Sequence, residues 1–107
     1  MTFTATALAD GQVAATATTV YTCPSSTVAY IKSLTLFNSN AASQAVVLRL
    51  NRSGTARLWK RYVLDQYESA NVLEHGESMI LEAGDTITAE STNASAVDYT
   101  ISGVLET

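Results

Sequence analysis

The sequence predicts an all-β fold, an antiparallel β-sandwich of jelly-roll type with about eight short strands. Segments that alternate apolar and polar residues recur along the chain, and turn-forming residues separate them. The motif Leu-Glu-x-Gly-(Asp/Glu)-(Ser/Thr) occurs twice, beginning at Leu73 and at Leu81, and each glycine predicts a chain reversal. Strands this short cannot bury an apolar face alone, so a second sheet must cover the first.

The composition indicates one folded domain over residues 1–107. The chain is 47% hydrophobic and 15% charged, which is untypical of disordered proteins. No apolar stretch approaches the roughly 20 residues of a membrane helix. The first residues carry no basic segment, so we expect no secretory signal.

The N-terminal half supplies three candidate strands. Residues 1–11 alternate threonine with apolar residues and form either an edge strand or an extended arm. Residues 19–23 predict a strand that Pro24 ends, because proline cannot donate to a ladder. Residues 27–38 are the longest candidate. Apolar side chains at both parities predict a central strand, covered on one face by the opposing sheet and on the other by a partner or a loop.

A hairpin and a final strand follow. Residues 45–51 and 55–64 flank a turn at Arg52-Ser53-Gly54, and residues 97–105 alternate cleanly. Residues 65–71 are polar and could form a single helical turn, so we expect at most one helical turn in the chain, at this place. In strand 55–64 the expected inward residues are Ala56, Leu58, Tyr62 and Leu64, with Lys60 an exception. Elsewhere we expect eight buried side chains: Leu34, Leu36, Val46, Leu48, Leu50, Val97, Tyr99 and Ile101.

No arrangement of residues predicts catalysis, so we expect no enzyme and no cofactor. The single histidine, His75, lies in a turn, and the chain has no Gly-x-Ser-x-Gly elbow around a serine. Single Cys23 excludes an internal disulfide and a cysteine zinc site. Four turn acids could meet if the reversals stack, but the chain lacks a calcium-loop spacing, so we expect no metal. These acids are Glu74, Glu77, Glu82 and Asp85.

Charge is unevenly distributed along the chain. The net charge is -4, which argues against nucleic acid as a partner. Five of the six basic residues lie between Arg49 and Arg61, whereas nine of the ten acids lie in residues 62–107. Such a division suits a polar contact with further copies of the chain or with an acidic partner.

The basic hairpin is the candidate protein interface. A period of two predicts Arg57, Trp59 and Arg61 on one face, and a tryptophan between arginines is a common interface anchor. The alternative is cation–π stacking that only covers the tryptophan. The candidate interface residues are Arg49, Arg52, Arg57, Trp59, Lys60 and Arg61.

Four segments of the sequence resemble segments of small β-sandwich accessory proteins of tailed-bacteriophage virions. Those proteins coat heads or decorate tails. The four segments are Val20–Pro24, Ala29–Asn38, Leu81–Ile87 and Ala96–Val104. Cys23 departs from the aliphatic residue usual before the proline. The resemblance implies a non-enzymatic building block that is made in the host cytoplasm and mounted on the particle surface, without membrane contact.

From this resemblance we expect a capsid decoration or cement protein. It would bind the shell of major capsid protein as a homo-oligomer, a trimer by preference, and stabilise the head against internal pressure. One alternative is a tail or baseplate accessory protein. Another is a glycan-binding module for host attachment, in which Trp59 would stack on a sugar with help from Tyr62 or Tyr67.

Overall fold

The computed structural model describes residues 2–73 and 78–107, so His75, Glu74 and Glu77 lie outside the described residues. Within them the regular elements are all strands, and none is a helix of the length and apolar character that crossing a bilayer requires. The strands number nine, where about eight were expected. They are β1 (Phe3–Gln12), β2 (Thr18–Thr22), β3 (Val28–Asn38), β4 (Gln44–Arg52), β5 (Thr55–Leu64), β6 (Ser69–Asn71), β7 (Met79–Leu81), β8 (Thr86–Ser91) and β9 (Val97–Glu106).

Two antiparallel sheets form the predicted sandwich. Sheet A has the order β1-β9-β3-β6, with β7 also paired to β3, and sheet B has the order β2-β8-β4-β5. Strand β1 lies beside β2, and β5 lies beside β6, so these pairs mark opposite sides of the sandwich. Of the two possibilities for residues 1–11, the structure has the edge strand, because β1 pairs with β9 along its length.

The core lies between the sheets and contains most of the predicted side chains. Six of the eight expected residues are buried, whereas Tyr99 and Leu50 are half-buried and pack against the edge of the core. Both exceptions lie near the open sides or ends of the sheets, where the opposing sheet covers less of them. Confirmed as buried are Leu34, Leu36, Val46, Leu48, Val97 and Ile101.

A β-bulge explains the mixed parity of β3. The register passes from Ile31↔Gly103 to Ser33↔Ser102, so Lys32 is an extra residue without a partner on β9. The inward parity changes at this point, and Ile31 and Leu34 both face the core. Strand β3 is central in sheet A, as expected. Apolar residues occupy both of its parities because the strand changes parity once, so the pattern is not in itself a sign of cover on the outer face.

Residues 65–71, where the sequence allows one helical turn at most, form no helix. The Glu68 N–H donates to the Asp65 carbonyl at 3.0 Å in a tight turn, and Tyr67 has a φ of 56°. The chain then pairs with the end of β3 as β6. The open edge of β3 offers a ladder of hydrogen bonds, which stabilises a strand over an isolated helical turn.

A buried amide fixes the end of the sandwich distant from the β4–β5 turn. Asn38 is fully buried, and its Nδ2 lies 3.0, 3.1 and 3.0 Å from the carbonyl oxygens of Ala42, Leu64 and Asp65. Its Oδ1 accepts the Asn40 N–H at 2.9 Å. One side chain thus joins the end of β3 to the end of β5 and holds the chain at the point where β5 ends.

Candidate protein interface

All six predicted interface residues lie on the hairpin of β4 and β5. Strand β5 has ten residues, nine of which pair with β4, and within the described part of the chain no strand pairs with its other edge. The hairpin therefore forms one side of the sandwich, and its outer strand presents unpaired main-chain groups to solvent.

A second bulge determines where the side chains of β5 point. Leu48 pairs with Lys60 and the next residue, Arg49, pairs with Leu58, so Trp59 is an extra residue on β5. The parity of the strand is reversed on the two sides of this bulge. Alternation alone therefore assigns the faces correctly only for the half of β5 that follows Trp59.

The arginines of β5 consequently lie on different faces. Arg57 pairs with Leu50, whose parity faces sheet A, whereas Arg61 pairs with Val47 on the outer face of sheet B. The prediction that Arg57, Trp59 and Arg61 share one face is wrong for this reason.

The bulge also exchanges the expected positions of two large apolar side chains. Leu58, expected inside, is 65% exposed, and Trp59, expected outside, is half-buried against the core. Ala56 likewise is exposed, while Tyr62 and Leu64 face inward as expected. The sequence did contain a sign of this bulge. Lys60 interrupts the apolar residues at the inward positions of β5, as Lys32 interrupts those of β3 at the bulge in that strand.

Two of the cations make contacts inside the chain. The Arg49 Nη1 lies 2.8 Å from the Glu90 Oε1 across β4 and β8, with both side chains about one-third exposed. The Arg52 Nη2 donates to the Ile80 carbonyl at 2.7 Å, and its Nε lies 3.9 Å from the Asp85 Oδ2. These two arginines connect the hairpin to neighbouring segments of the domain.

The other three cations are available for an external partner. Arg57, Lys60 and Arg61 form no ion pair with any residue in the described ranges, and Arg57 and Arg61 are exposed. No acidic residue lies in β5. This strand is therefore a positively charged edge on a chain whose net charge is negative.

Two grooves lie beside Trp59 on the same side of the molecule. One has a volume of about 410 Å³, and its walls are Leu50, Arg52, Thr55, Arg57, Leu58 and Trp59. The other has a volume of about 340 Å³, and its described walls include Arg52, Trp59, Lys60, Met79 and Ile80. Among the described residues, sheet A has only the three-residue strands β6 and β7 on this side, opposite the inner face of β5.

The opposite side of the molecule is acidic. Strand β1 contains Asp10 and no cation, and the paired strand β9 contributes Asp98 and Glu106. Glu106 accepts a hydrogen bond of 2.5 Å from the Tyr30 hydroxyl, and this bond raises the pKa of Tyr30. Phe3 pairs with Glu106 in the register and is 59% exposed.

The residues considered for other chemistry do not form a site. The Cys23 thiol is buried, and desolvation raises its pKa above the ordinary value. Asp85 accepts the Glu82 N–H at 3.0 Å and so closes a turn. In residues 2–73 and 78–107 no three His, Cys, Asp or Glu side chains cluster as metal ligands do. Tyr67, considered for sugar stacking, lies in the turn after β5, beyond the strand end distant from the hairpin turn.

Comparison with known proteins supports the fold. No family model matches the chain, and no curated protein matches it. Among solved structures, the chain is similar to one described as "Bacillus endospore appendages form a novel family of disulfide-linked pili". The two share 20% identity and a TM-score of 0.54, over 99% of this chain and 88% of the other. At this identity the likeness shows a common all-β fold.

Proposed function

We propose that the chain is a non-enzymatic structural protein of a bacteriophage particle, a decoration or cement protein that binds the shell of major capsid protein. It acts as a homo-oligomer, a trimer by preference, and reinforces the head. The supporting observation is strand β5, a ten-residue open edge with three cations unpaired in the described chain and large exposed apolar side chains. Open edges of this kind are normally protected by a covering partner.

The shell contact uses the outer face of sheet B along β5. Leu58 is 65% exposed and Val63 is 56% exposed, and Arg61 lies between them on the same outer parity. Two exposed apolar groups that flank a cation are typical of a docking surface with a polar component. A rigid sheet face is suited to repeated binding at many equivalent sites, because little conformational entropy is lost on docking.

The resemblance of four sequence segments to virion accessory proteins supports the choice of a phage head as the binding target. The charge supports it too: a cationic strand on an otherwise acidic domain gives one preferred orientation toward an acidic surface. The domain takes this orientation only if β5, and no other strand, makes the first contact with the shell.

The location of the chain in the particle is the direct test. We expect the protein in purified particles at hundreds of copies, resolved by electron microscopy on the head surface. A few copies on the tail would instead indicate a tail accessory protein, and absence from the particle would refute the proposal.

Binding to heads that lack the protein tests the shell contact. Leu58→Asp should reduce cosedimentation with such heads at least tenfold, because it places a charge in the apolar part of the contact. The matched control is Tyr67→Asp, which changes another exposed apolar residue in a turn whose positive φ tolerates aspartate. Equal binding by both variants would contradict this assignment of the face.

A second candidate function is a subunit of a surface fibre. The two long open edges, β1 and β5, favour it, and the similar solved structure belongs to proteins described as disulfide-linked pili. The one cysteine of this chain is buried, so copies of it would associate without a disulfide unless the core opened. Electron microscopy of the concentrated protein tests this function, since a fibre subunit should form filaments without any capsid.

A further inference from the structure

We propose that copies of the chain join side to side, with the β1 edge of one copy seated in the grooves beside β5 of the next. This inference rests on the proposed structural function and names the contact between copies. It does not depend on whether the final assembly is a ring on a shell or a fibre.

The two longest open edges of the domain are the contacting elements. Strands β1 and β5 have ten residues each, whereas the other edge strands, β2, β6 and β7, have five, three and three. In the described chain each long strand pairs on one edge only. A main-chain edge of this length can form a ladder with an added strand, and short edges cannot form an equivalent one.

The topology places these edges on opposite sides of the sandwich. Strand β1 belongs to sheet A and lies beside β2, while β5 belongs to sheet B and lies beside β6. A copy can therefore use one side to bind the copy before it and the other side to bind the copy after it. Such a contact joins two different surfaces and is heterologous.

Charge makes the unlike pairing favourable and the like pairings unfavourable. The β5 side carries Arg57 and Lys60, and the β1 side carries Glu106, which pairs with Phe3 at one end of the strand, and Asp10 near the other end. No lysine or arginine lies in β1, β2, β8 or β9. Pairing β5 with β5 would oppose cations, and pairing β1 with β1 would oppose acids, so the unlike contact is selected.

Shape supports the same pairing. Phe3 lies on the outer face of sheet A at the β1 edge, with its ring centroid 6.4 Å from that of Tyr30, and it is 59% exposed. The β5 side has the groove of about 410 Å³ whose walls include Leu50 and Trp59. Both features lie at the same end of the sandwich. Phe3 pairs with Glu106, which pairs with Val28, and the hairpin turn adjoins this end because Arg52 binds the Ile80 carbonyl next to Tyr30.

The directions of the strands define the assembly. Strands β1 and β5 both run away from the end that holds Phe3 and the hairpin turn, so copies with the same orientation place them parallel. All copies then expose the same end and the same outer face of sheet B. A rotation that closes gives a ring such as a trimer, and one that does not close gives a filament.

The test uses two variants, each blocked on one side. The double substitution Arg57→Glu with Lys60→Glu blocks the β5 side. Phe3→Ser with Asp10→Asn blocks the β1 side without adding a cation that could pair with the new glutamates. Lys32→Glu is the matched control, because Lys32 is an exposed lysine in the middle of sheet A and away from both sides. Sedimentation velocity up to millimolar concentration gives the size of each species, and circular dichroism verifies that each variant is folded.

We expect the wild type and the Lys32→Glu control to form multimers and each blocked variant to remain monomeric. An equimolar mixture of the blocked variants should form a dimer and nothing larger, because each variant retains one working side and the pair is then capped. A mixture that stays monomeric overturns the proposal, as does a β1-blocked variant that assembles like the wild type.

The contact and the proposed function fail in different ways. A wild-type chain that stays monomeric overturns the contact between copies, whether or not it binds heads. A chain that forms multimers but is absent from particles retains the contact and refutes the decoration function. If the double substitution on β5 unfolds the domain, Arg57→Glu alone replaces it, since this side chain is exposed.

Discussion

Replacing Gly103 with alanine should destabilise the fold strongly, although the residue lies in a regular strand. Gly103 pairs with Ile31 on β3 and with Thr6 on β1, next to the bulge at Lys32. A Cβ at Gly103 would lie 2.1 Å from the Tyr30 carbonyl oxygen and 3.1 Å from the Ile31 Cα. Both atoms belong to the backbone, so no side-chain rotation can relieve the overlap.

The size of the destabilisation follows from the distance by which β3 and β9 must move apart. Moving a Cβ from 2.1 Å to ordinary contact with the carbonyl oxygen requires β3 and β9 to part by about 1 Å. This movement lengthens the neighbouring ladder hydrogen bonds, each worth about 0.5–1.5 kcal/mol net, and adds overpacking strain of about 1–3 kcal/mol. We expect a loss of about 3–5 kcal/mol in the free energy of unfolding, and a melting temperature lower by roughly 15–25 °C.

Urea denaturation followed by circular dichroism measures this loss, with Gly54→Ala as the control. Gly54 has a φ of +81°, and an added Cβ meets nothing within 4 Å, so this substitution should cost only about 1–2 kcal/mol of backbone strain. If Gly103→Ala costs no more than Gly54→Ala, the close approach of β3 to β9 does not exist as described and the steric argument is refuted.

Three further predictions concern the core and its polar contacts. Asn38→Asp should cost about 3–5 kcal/mol at neutral pH, because a buried carboxylate would face three carbonyl oxygens. Asn38→Ala should cost about 1–3 kcal/mol, and equal losses in urea melts would contradict the assigned amide contacts. Ile101→Ala should cost about 2–5 kcal/mol, and a smaller loss in the same melts would show that the cavity collapses. Burial raises the pKa of the Cys23 thiol, so the unfolded chain loses the thiol proton first. Stability should therefore fall as the pH rises through the ordinary thiol pKa of about 8.5, and the stability of Cys23→Ala should fall less steeply across the same series of melts.

Much of the architecture could be predicted because alternation is a local property. The final strand shows it well: Val97 and Ile101 are buried at the expected parity, and their neighbours face away. The turn predicted at Gly84 likewise separates the short strands β7 and β8, whereas Gly76 lies outside the described residues. Such patterns depend only on which residues are apolar and how they are spaced, so a single sequence is sufficient to interpret them.

The errors come from features that depend on partner strands. A bulge forms where two strands pair over unequal lengths, and at Lys32 and Trp59 this changes the side to which the rest of the strand points. Strand β6 forms in a segment where the sequence allowed a helical turn, because the open edge of β3 was available to Ser69–Asn71. A lysine at an inward position is the sign of a bulge that the sequence did contain, since both lysines lie at or beside one.

The bulge at Trp59 also connects the fold to the proposed assembly. It turns Leu58 and Arg61 to the outer face of sheet B while leaving Arg57 and Lys60 on the parity that faces sheet A. One strand can therefore present a surface to the capsid shell and a different surface to a neighbouring copy. Without the extra residue, alternation would place Arg57 and Arg61 on one face, and the two contacts would compete for the same side chains.

The separation of charge between the β5 side and the β1 side makes the contact between copies sensitive to salt. An isolated β5 edge is protected from pairing with another β5 by its own cations, which limits irregular aggregation, while it remains open to the acidic β1 side. Because these charges are exposed, their attraction is screened by salt with a Debye length of about 8 Å at physiological ionic strength. The contact between copies should therefore weaken as salt is added, whereas the apolar part of the shell contact at Leu58 should not, and this difference separates the two surfaces of one strand.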